Sequence, residues 1–379
     1  MRANDPGSVF DRECMALALG QAQKGIGHVE PNPAVGAVIT RGTTVLGRGY
    51  HRIFGGPHAE IEAINDALRK GRSLKNATLY VTLEPCCHWG KTPPCVDALI
   101  RAGIRTVIAA TRDPSEKVAG KGFAALKKAG LKVRLGLLRD QAEAINPWFY
   151  KFHRTGRPWV IAKWAQTLDG KFAARSGHSR WISSETSRLE AHRLRQSCQA
   201  VVVGIGTVLA DDPQLTVRIP GTNPGLPRVP DRVVVDPNLR IPETSVLVRT
   251  ARQTPTWVII THRASKAKIL RLERLGVQIT ILHADSSGNV RVGKFLDFAA
   301  RRNWSRVLVE GGPGILSRFL RAGGVDEIVV FQSEALALDD QAPQLRGSVT
   351  RTTGDFLKSF KFREAALRGE DVVLRLWGK

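Results

Sequence analysis

A chain of 379 residues, 42% hydrophobic and 24% charged, is long enough for two domains with separate cores, and its composition excludes a disordered or collagen-like protein. Its formal net charge of +23 comes from Lys and Arg spread along the chain, which fits a generally basic surface better than a dedicated nucleic-acid arm. Five unevenly spaced cysteines argue against a disulfide framework and fit a reducing cytoplasm. No apolar run reaches the length of a membrane span, and the N-terminus lacks the apolar core of a signal peptide.

A first helix is expected around Met15–Leu19, behind Ser8, Asp11 and Glu13, ending near Gly25. Residues 35–40 and 44–50 read as a hairpin about Arg41-Gly42. From His58 the pattern turns helical, with Ile61, Ile64 and Leu68 three and four apart, so His58 and Glu60 fall in the first turn. Strands follow at 78–83, 106–110 and 132–138, with helices at 95–101, 123–128 and 142–146. This alternation gives an α/β layer domain over residues 1–150. Pro147-Trp148 is expected to end the last of these helices, and the basic, turn-rich stretch 151–158 to hold the boundary. Residues 151–379 repeat the βα alternation. Strands are expected at 159–164, 199–203, 232–235, 256–261, 277–282, 306–309 and 327–331, in a mostly parallel sheet with helices on both faces. Residues 371–377 read as a last antiparallel edge strand.

Chemistry concentrates in the first half. His58-Ala59-Glu60 followed by Pro85-Cys86 matches the zinc-deaminase signature, except that eight residues separate Cys86 from the next thiol in the pattern, Cys95. One imidazole and two thiolates leave a fourth zinc position for water, and Glu60 is placed to move that water's protons. A structural zinc with Cys87 or His88 as fourth ligand is the alternative. Asn32 and His51 are candidate substrate contacts. In the second half, Gly204-x-Gly206 and Glu310-Gly311-Gly312-Pro313-Gly314 each follow a strand. The first lacks the third glycine of a dinucleotide fingerprint, and either can be plain turn chemistry.

Together, Pro31-Asn32-Pro33, Gly49-Tyr50-His51, Pro57-His58-Ala59-Glu60 and the run Thr82–Cys95 resemble the bifunctional riboflavin-biosynthesis deaminase–reductase family. So do Lys163-x-Ala165-x-Thr167-Leu168-Asp169-Gly170, Ser179-Arg180-Trp181-Ile182, the run Gly206–Arg218 and Val309-Glu310-x-Gly312. The resemblance implies a cytidine-deaminase-like three-layer domain followed by a dihydrofolate-reductase-like domain that uses NADPH. It implies His58, Cys86 and Cys95 as zinc ligands, Glu60 as proton shuttle and Lys91 on a substrate phosphate. It also implies Ala165, Trp181, Thr207, Asp211, Gly312, Pro313 and Gly314 at the cofactor, and Lys163, Ser179, Arg195, Leu215, Arg218 and Glu310 at the second substrate. Arg195 and Arg218 are expected to clamp a phosphate between guanidinium groups. The implied partner is a phosphoribosyl pyrimidine, neither nucleic acid nor membrane, and oligomerisation through the second domain follows by resemblance alone. A nucleic-acid-editing zinc deaminase is the competing reading, favoured by the net charge.

Overall fold

The computed structural model describes residues 7–179, 182–220, 229–345 and 360–378, and the chain divides into two compact units, Met1–Gly156 and Arg157–Lys379. In the first, α1 (Val9–Gln23) precedes the hairpin β1 (Gly36–Arg41) and β2 (Thr44–Tyr50). Then come α2 (Ala59–Arg69), β3 (Thr78–Val81), α3 (Cys95–Arg101), β4 (Thr106–Ala109), α4 (Lys121–Lys128), β5 (Lys132–Leu135), α5 (Arg139–Ile145) and α6 (Pro147–Thr155). The five-stranded sheet runs β2-β1-β3-β4-β5, parallel from β3 onward.

The period-two alternation of its strands builds two cores. Ala37, Ile39, Leu79, Val81, Val107 and Ala109 face α2, α3 and α4, through Ala63, Leu99 and Leu126. Val38, Tyr80 and Ile108 face α1 and α5, through Met15, Ala18 and Ala142. Helices therefore cover both faces of the sheet in three layers.

The second unit opens with β6 (Trp159–Gln166), α7 (Glu185–Gln196), β7 (Ala200–Gly204), α8 (Ile205–Asp211), β8 (Asp231–Val235), α9 (Val246–Arg249) and β9 (Thr256–Ile260). It continues with α10 (Lys266–Arg274), β10 (Gln278–Ile281), α11 (Val292–Arg301), β11 (Arg306–Glu310), α12 (Pro313–Arg321) and β12 (Glu327–Gln332). It closes with β13 (Phe360–Arg368) and β14 (Asp371–Gly378). The sheet order is β10-β9-β8-β7-β11-β6-β12-β14-β13, parallel up to β12 and antiparallel beyond it. One face packs on α11 and α12, the other on α7 to α10.

Three expectations change. α5 ends at Ile145, before Pro147 as expected, but the turn-rich stretch expected at 151–158 is helical up to Thr155: Pro147 opens α6, because proline's missing N–H costs nothing at the first helical position. The strand at Asp371–Gly378 is not the edge: β13 pairs outside it, and its charged alternation (Lys361, Arg363, Glu364, Arg368) hid it as a strand. Gly204 caps a helix, so Gly206 sits inside α8 rather than in a turn.

Arg232 on β8 is fully buried without a carboxylate partner. Its guanidinium donates instead to the Gln214, Leu247 and Thr254 carbonyls and to the Thr250 and Thr256 hydroxyls, and burial lowers its pKa to about 10. Arg232→Met keeps the bulk but strands those acceptors. It is expected to destabilise the second unit by about 2–4 kcal/mol, read as an earlier denaturant transition for that unit in the full chain. An unchanged midpoint would show the guanidinium to be dispensable.

Candidate functional sites in the two units

In the first unit three ligand-type side chains converge from separate elements. His58 is the N-cap of α2, Cys86 lies in the loop after β3, and Cys95 opens α3. His58 Nδ1 lies 3.5 Å from Cys86 Sγ and 3.3 Å from Cys95 Sγ, and all three ligand atoms fall within 4.8 Å of one another. Tetrahedral zinc, with bonds of about 2.3 Å to sulfur and 2.0–2.1 Å to nitrogen, sets sulfur and nitrogen about 3.6 Å apart. The geometry present therefore fits the ion.

Among the described residues no fourth His, Cys, Asp or Glu joins this group, and neither Cys87 nor His88 belongs to it. The four-ligand structural alternative lacks its last ligand. A thiol–thiol hydrogen bond from Cys95, aided by His58, holds Cys86 down at about 4, and the same bond, with burial, pushes Cys95 well up. A zinc ion would take both as thiolates.

Glu60, in the first turn of α2, is 3% exposed, and burial pushes its carboxyl up to about 7. A zinc charge beside it acts in the opposite direction. His51 is buried behind His58, the rings meeting edge to face at 5.3 Å. The Pro57 carbonyl 2.9 Å from Nδ1 can only accept, so that nitrogen carries the proton and Nε2 accepts from Asn32 Nδ2 at 3.4 Å. Burial holds the ring neutral by lowering its pKa. The Asn32 carbonyl oxygen is left as that amide's acceptor.

Asn32, His51, His58, Glu60, Cys86 and Lys91 line one cavity of about 690 Å³ with Phe54, Asp113 and Phe149. Lys91 Nζ sits 3.9 Å above the Phe54 ring. Its stem passes Gly55, whose φ of +82° disfavours any side chain there.

In the second unit Glu310 ends β11 and pairs in register with Lys163 on β6. Arg195 of α7 meets Glu310 through both oxygens, at 2.7 and 3.0 Å, and also donates to the Thr216 carbonyl. Burial alone would raise Glu310, but Arg195 and Lys163 hold it below the usual range, while burial lowers Lys163. Arg218 donates to the Thr216 hydroxyl and Gln214 amide oxygen, and its own N–H reaches His192 Nδ1. His192 is held at about 4 by burial and by Arg195 and Arg218, so it is a neutral acceptor. Leu215, in the left-handed region at φ +54°, buries its side chain beneath this segment.

Thr207 of α8 accepts from the Gly312 N–H at 3.2 Å, and a Cβ on Gly311 would overlap that hydroxyl. At Gly206, Gly312 and Gly314 an added Cβ meets nothing within 4 Å. Packing does not require glycine there, and the open cradle suits the backbone's close approach to a dinucleotide.

The expected residues thus gather in three groups: the thiol–imidazole cavity, the Lys163–Glu310–Arg195 cluster with the 214–218 segment, and the Thr207–Gly312 corner. Ala165 lies at the end of β6, Asp211 ends α8, Ser179 lies in the loop before α7 with its carbonyl accepting from the Ile182 N–H, and Pro313 opens α12. Trp181 lies outside the described residues. The expectation that Arg195 clamps a phosphate alters, because its forked edge is engaged by Glu310. Sequence reasoning missed Glu84, a buried carboxylate accepting from the N–H groups of Asp113, Gly120 and Phe123. It also missed His192, although a spacing of three from Arg195 puts both on one face of α7.

Comparison with known proteins gives both units relatives. Residues 8–111 match the cytidine and deoxycytidylate deaminase zinc-binding region, and residues 158–374 the RibD C-terminal domain. The riboflavin biosynthesis protein RibD of Aquifex aeolicus is 41% identical over 96% of this chain and 98% of that protein. RibD of Escherichia coli is 37% identical over 97% and 99%. The structure of Acinetobacter baumannii RibD, form 1, superposes with a TM-score of 0.84 at 33% identity, covering 98% and 99%. The Thermotoga maritima diaminohydroxyphosphoribosylaminopyrimidine deaminase/5-amino-6-(5-phosphoribosylamino)uracil reductase gives 0.80 at 32%, over the same shares. The expected cytidine-deaminase-like and dihydrofolate-reductase-like folds are both present. From its first helix to its last strand, then, the chain belongs to the RibD family of riboflavin biosynthesis proteins.

Proposed function

We propose that the first unit deaminates 2,5-diamino-6-(5-phosphoribosylamino)pyrimidin-4-one at its 2-amino group, and that the second reduces the ribosyl group of the product to ribityl. The chain is a bifunctional deaminase and reductase of riboflavin biosynthesis, with Zn²⁺ and NADPH as cofactors. The observation that carries the finer assignment is one cavity lined by His58, Cys86, a buried carboxyl and a lysine, with Cys95 Sγ 3.3 Å from His58 Nδ1.

In the first step water adds to the amidine carbon and ammonia leaves. His58, Cys86 and Cys95 hold the zinc, which supplies Lewis acidity to the attacking water. Glu60 takes that water's proton, passes it to the ring nitrogen and then helps protonate the departing amine. Asn32, oriented by neutral His51, accepts from the pyrimidine edge, and Lys91 meets the 5-phosphate. In the second step C1 of the opened ribose is reduced, and NADPH, when bound, would supply the hydride. Lys163, held in register with Glu310, is positioned to donate to the sugar, and Arg218 takes the phosphate that Arg195 is not free to fork. Thr207, Asp211 and the 312–314 turn hold the cofactor, with Ala165 and Trp181. Five cysteines, unevenly spaced and odd in number, support a reducing, cytoplasmic setting. No helix among the described residues is long and apolar enough to cross a membrane. A homo-oligomer completes the reading, checked by light scattering. The editing alternative is disfavoured because the relatives match over both units, the second of them a reductase domain that editing does not need.

Glu60→Gln is expected to cut ammonia release by about 10²- to 10⁴-fold while zinc content stays at one ion per chain and NADPH oxidation on deaminated substrate persists. Retained deamination would remove Glu60 from the mechanism. Chelation of zinc should abolish ammonia release but leave the reduction. Loss of both in a folded chain would contradict the assignment of one step to each unit. Arg218→Ala should raise KM for the phosphorylated reductase substrate about 10-fold or more and leave deamination untouched. An unchanged KM would move the phosphate elsewhere.

A further inference from the structure

A second cavity in the reductase unit, of about 250 Å³, lies where β7 and β8 end and α12 begins. Its volume suits a nucleoside fragment rather than a whole dinucleotide. It continues from the open cradle at Gly206 and Gly314, both of which line it. In a parallel sheet the C-terminal ends of the strands are where ligands bind, so this is the direction in which a cofactor crossing the Gly312 turn would extend. Apolar side chains, among them Val235, Ile315 and Phe319, form much of the wall and suit a purine face.

Two arginines also line it, Arg240 from the loop after β8 and Arg318 from the second turn of α12. Among the described residues neither guanidinium has a carboxylate within ion-pairing distance or a hydrogen-bond acceptor. The acid felt by Arg318 is Asp285, opposed by Arg321, and burial makes its charge costlier to hold. This contrasts with Arg195, whose buried charge is met by Glu310 at 2.7 Å. A neutral purine and a ribose bearing only hydroxyls give two unneutralised guanidiniums nothing to balance. A phosphate on that ribose does.

We infer that Arg240 and Arg318 seat the adenosine 2′-phosphate of the cofactor and so set the preference for NADPH over NADH. The inference rests on the reading of this unit as the NADPH-dependent reductase. The two arginines touch the cofactor at the end remote from the hydride, so they act on binding and discrimination and not on the transfer itself.

The test is equilibrium binding to the full zinc-loaded chain without the pyrimidine substrate, using NADPH, NADH, 2′,5′-ADP and 5′-AMP as probes. Wild type should prefer each 2′-phosphorylated probe. Arg240→Ala and Arg318→Ala should each weaken NADPH and 2′,5′-ADP about 10- to 100-fold while NADH and 5′-AMP stay within about twofold. Arg318→Lys, which keeps the charge on a different head group, should recover part of the loss. Ammonia release by the same preparations reports that the chain is folded. Equal losses for both members of each pair, or no loss at all, would overturn the inference. Wild type that bound none of the four probes would instead overturn the reductase reading on which it rests.

Discussion

The deaminase cavity hangs on one buried carboxylate that does no chemistry. Glu84 lies three residues beyond β3, and burial raises its pKa. Such a group is costly to bury unless its oxygens are met. Here they accept the N–H groups of Gly120 at 3.0 Å, Phe123 at 3.1 Å and Asp113 at 3.3 Å. Gly120 is the N-cap of α4 and Phe123 lies in its first turn, so two of these donors belong to a helix end that has no partners of its own. The same junction is closed by packing, since a Cβ on Gly122 would overlap the Pro85 carbonyl. The chain thus leaves β3 pinned on both sides of Pro85, one residue before the first thiol. Cys86 follows directly, and the Cys95 N–H points at its sulfur from 3.3 Å, so the two thiols are tied to each other through the backbone as well as through the ligand geometry.

How much of this was legible in the residues depended on the range of the signal. The His58–Glu60 spacing placed both side chains in the first turn of α2, and the structure has them there, because N-cap and first-turn positions are set within four residues. The parallel strands announced themselves as short apolar runs, and Val201, Val233 and Val307 are indeed fully buried. Strand β13 escaped because an outer strand carries charge along its length, which resembles a loop to a pattern based on hydrophobicity. Pro147 was legible as the stop of α5 but not as the start of α6, because proline punctuates in both senses and only the chain beyond it shows the second. Glu84 and Arg195 were in view as motif letters, but their partners lie 29 to 39 and 115 residues away. No local pattern encodes such a pairing.

The two units handle buried charge in opposite ways. In the first, burial of Glu60 outweighs the pull of His58 and pushes its carboxyl up to about 7, with a zinc charge acting in the opposite direction. In the second, Glu310 is clasped by a two-toothed Arg195 with Lys163 alongside, and is held ionised. A carboxylate so fixed is a poor proton carrier but a firm orienting group. Removing either partner would leave an unpaired buried charge, which costs far more than the pair contributes. Proton transfer belongs to the first chemistry and hydride transfer to the second, and the electrostatics divide along that line.

That division also bears on the net charge of +23. Arg195 shows how an arginine is made structural: its forked edge and one further donor are consumed by Glu310 and Thr216. Among the described residues Arg218, four residues beyond Gln214, has only neutral hydrogen-bond partners. Lys91 rests on the Phe54 ring rather than on an acid, and Arg240 and Arg318 line a cavity without a carboxylate beside them. The proposed function would give each of these cations a phosphate to meet: on the pyrimidine substrate in the first site, on its deaminated form in the second, and on the cofactor's adenosine. A polynucleotide binder needs a contiguous run of such charges tracking a backbone. Here Lys91 lines one cavity and Arg240 and Arg318 another, each with apolar side chains in its wall, which is the form of recognition that small phosphorylated molecules require.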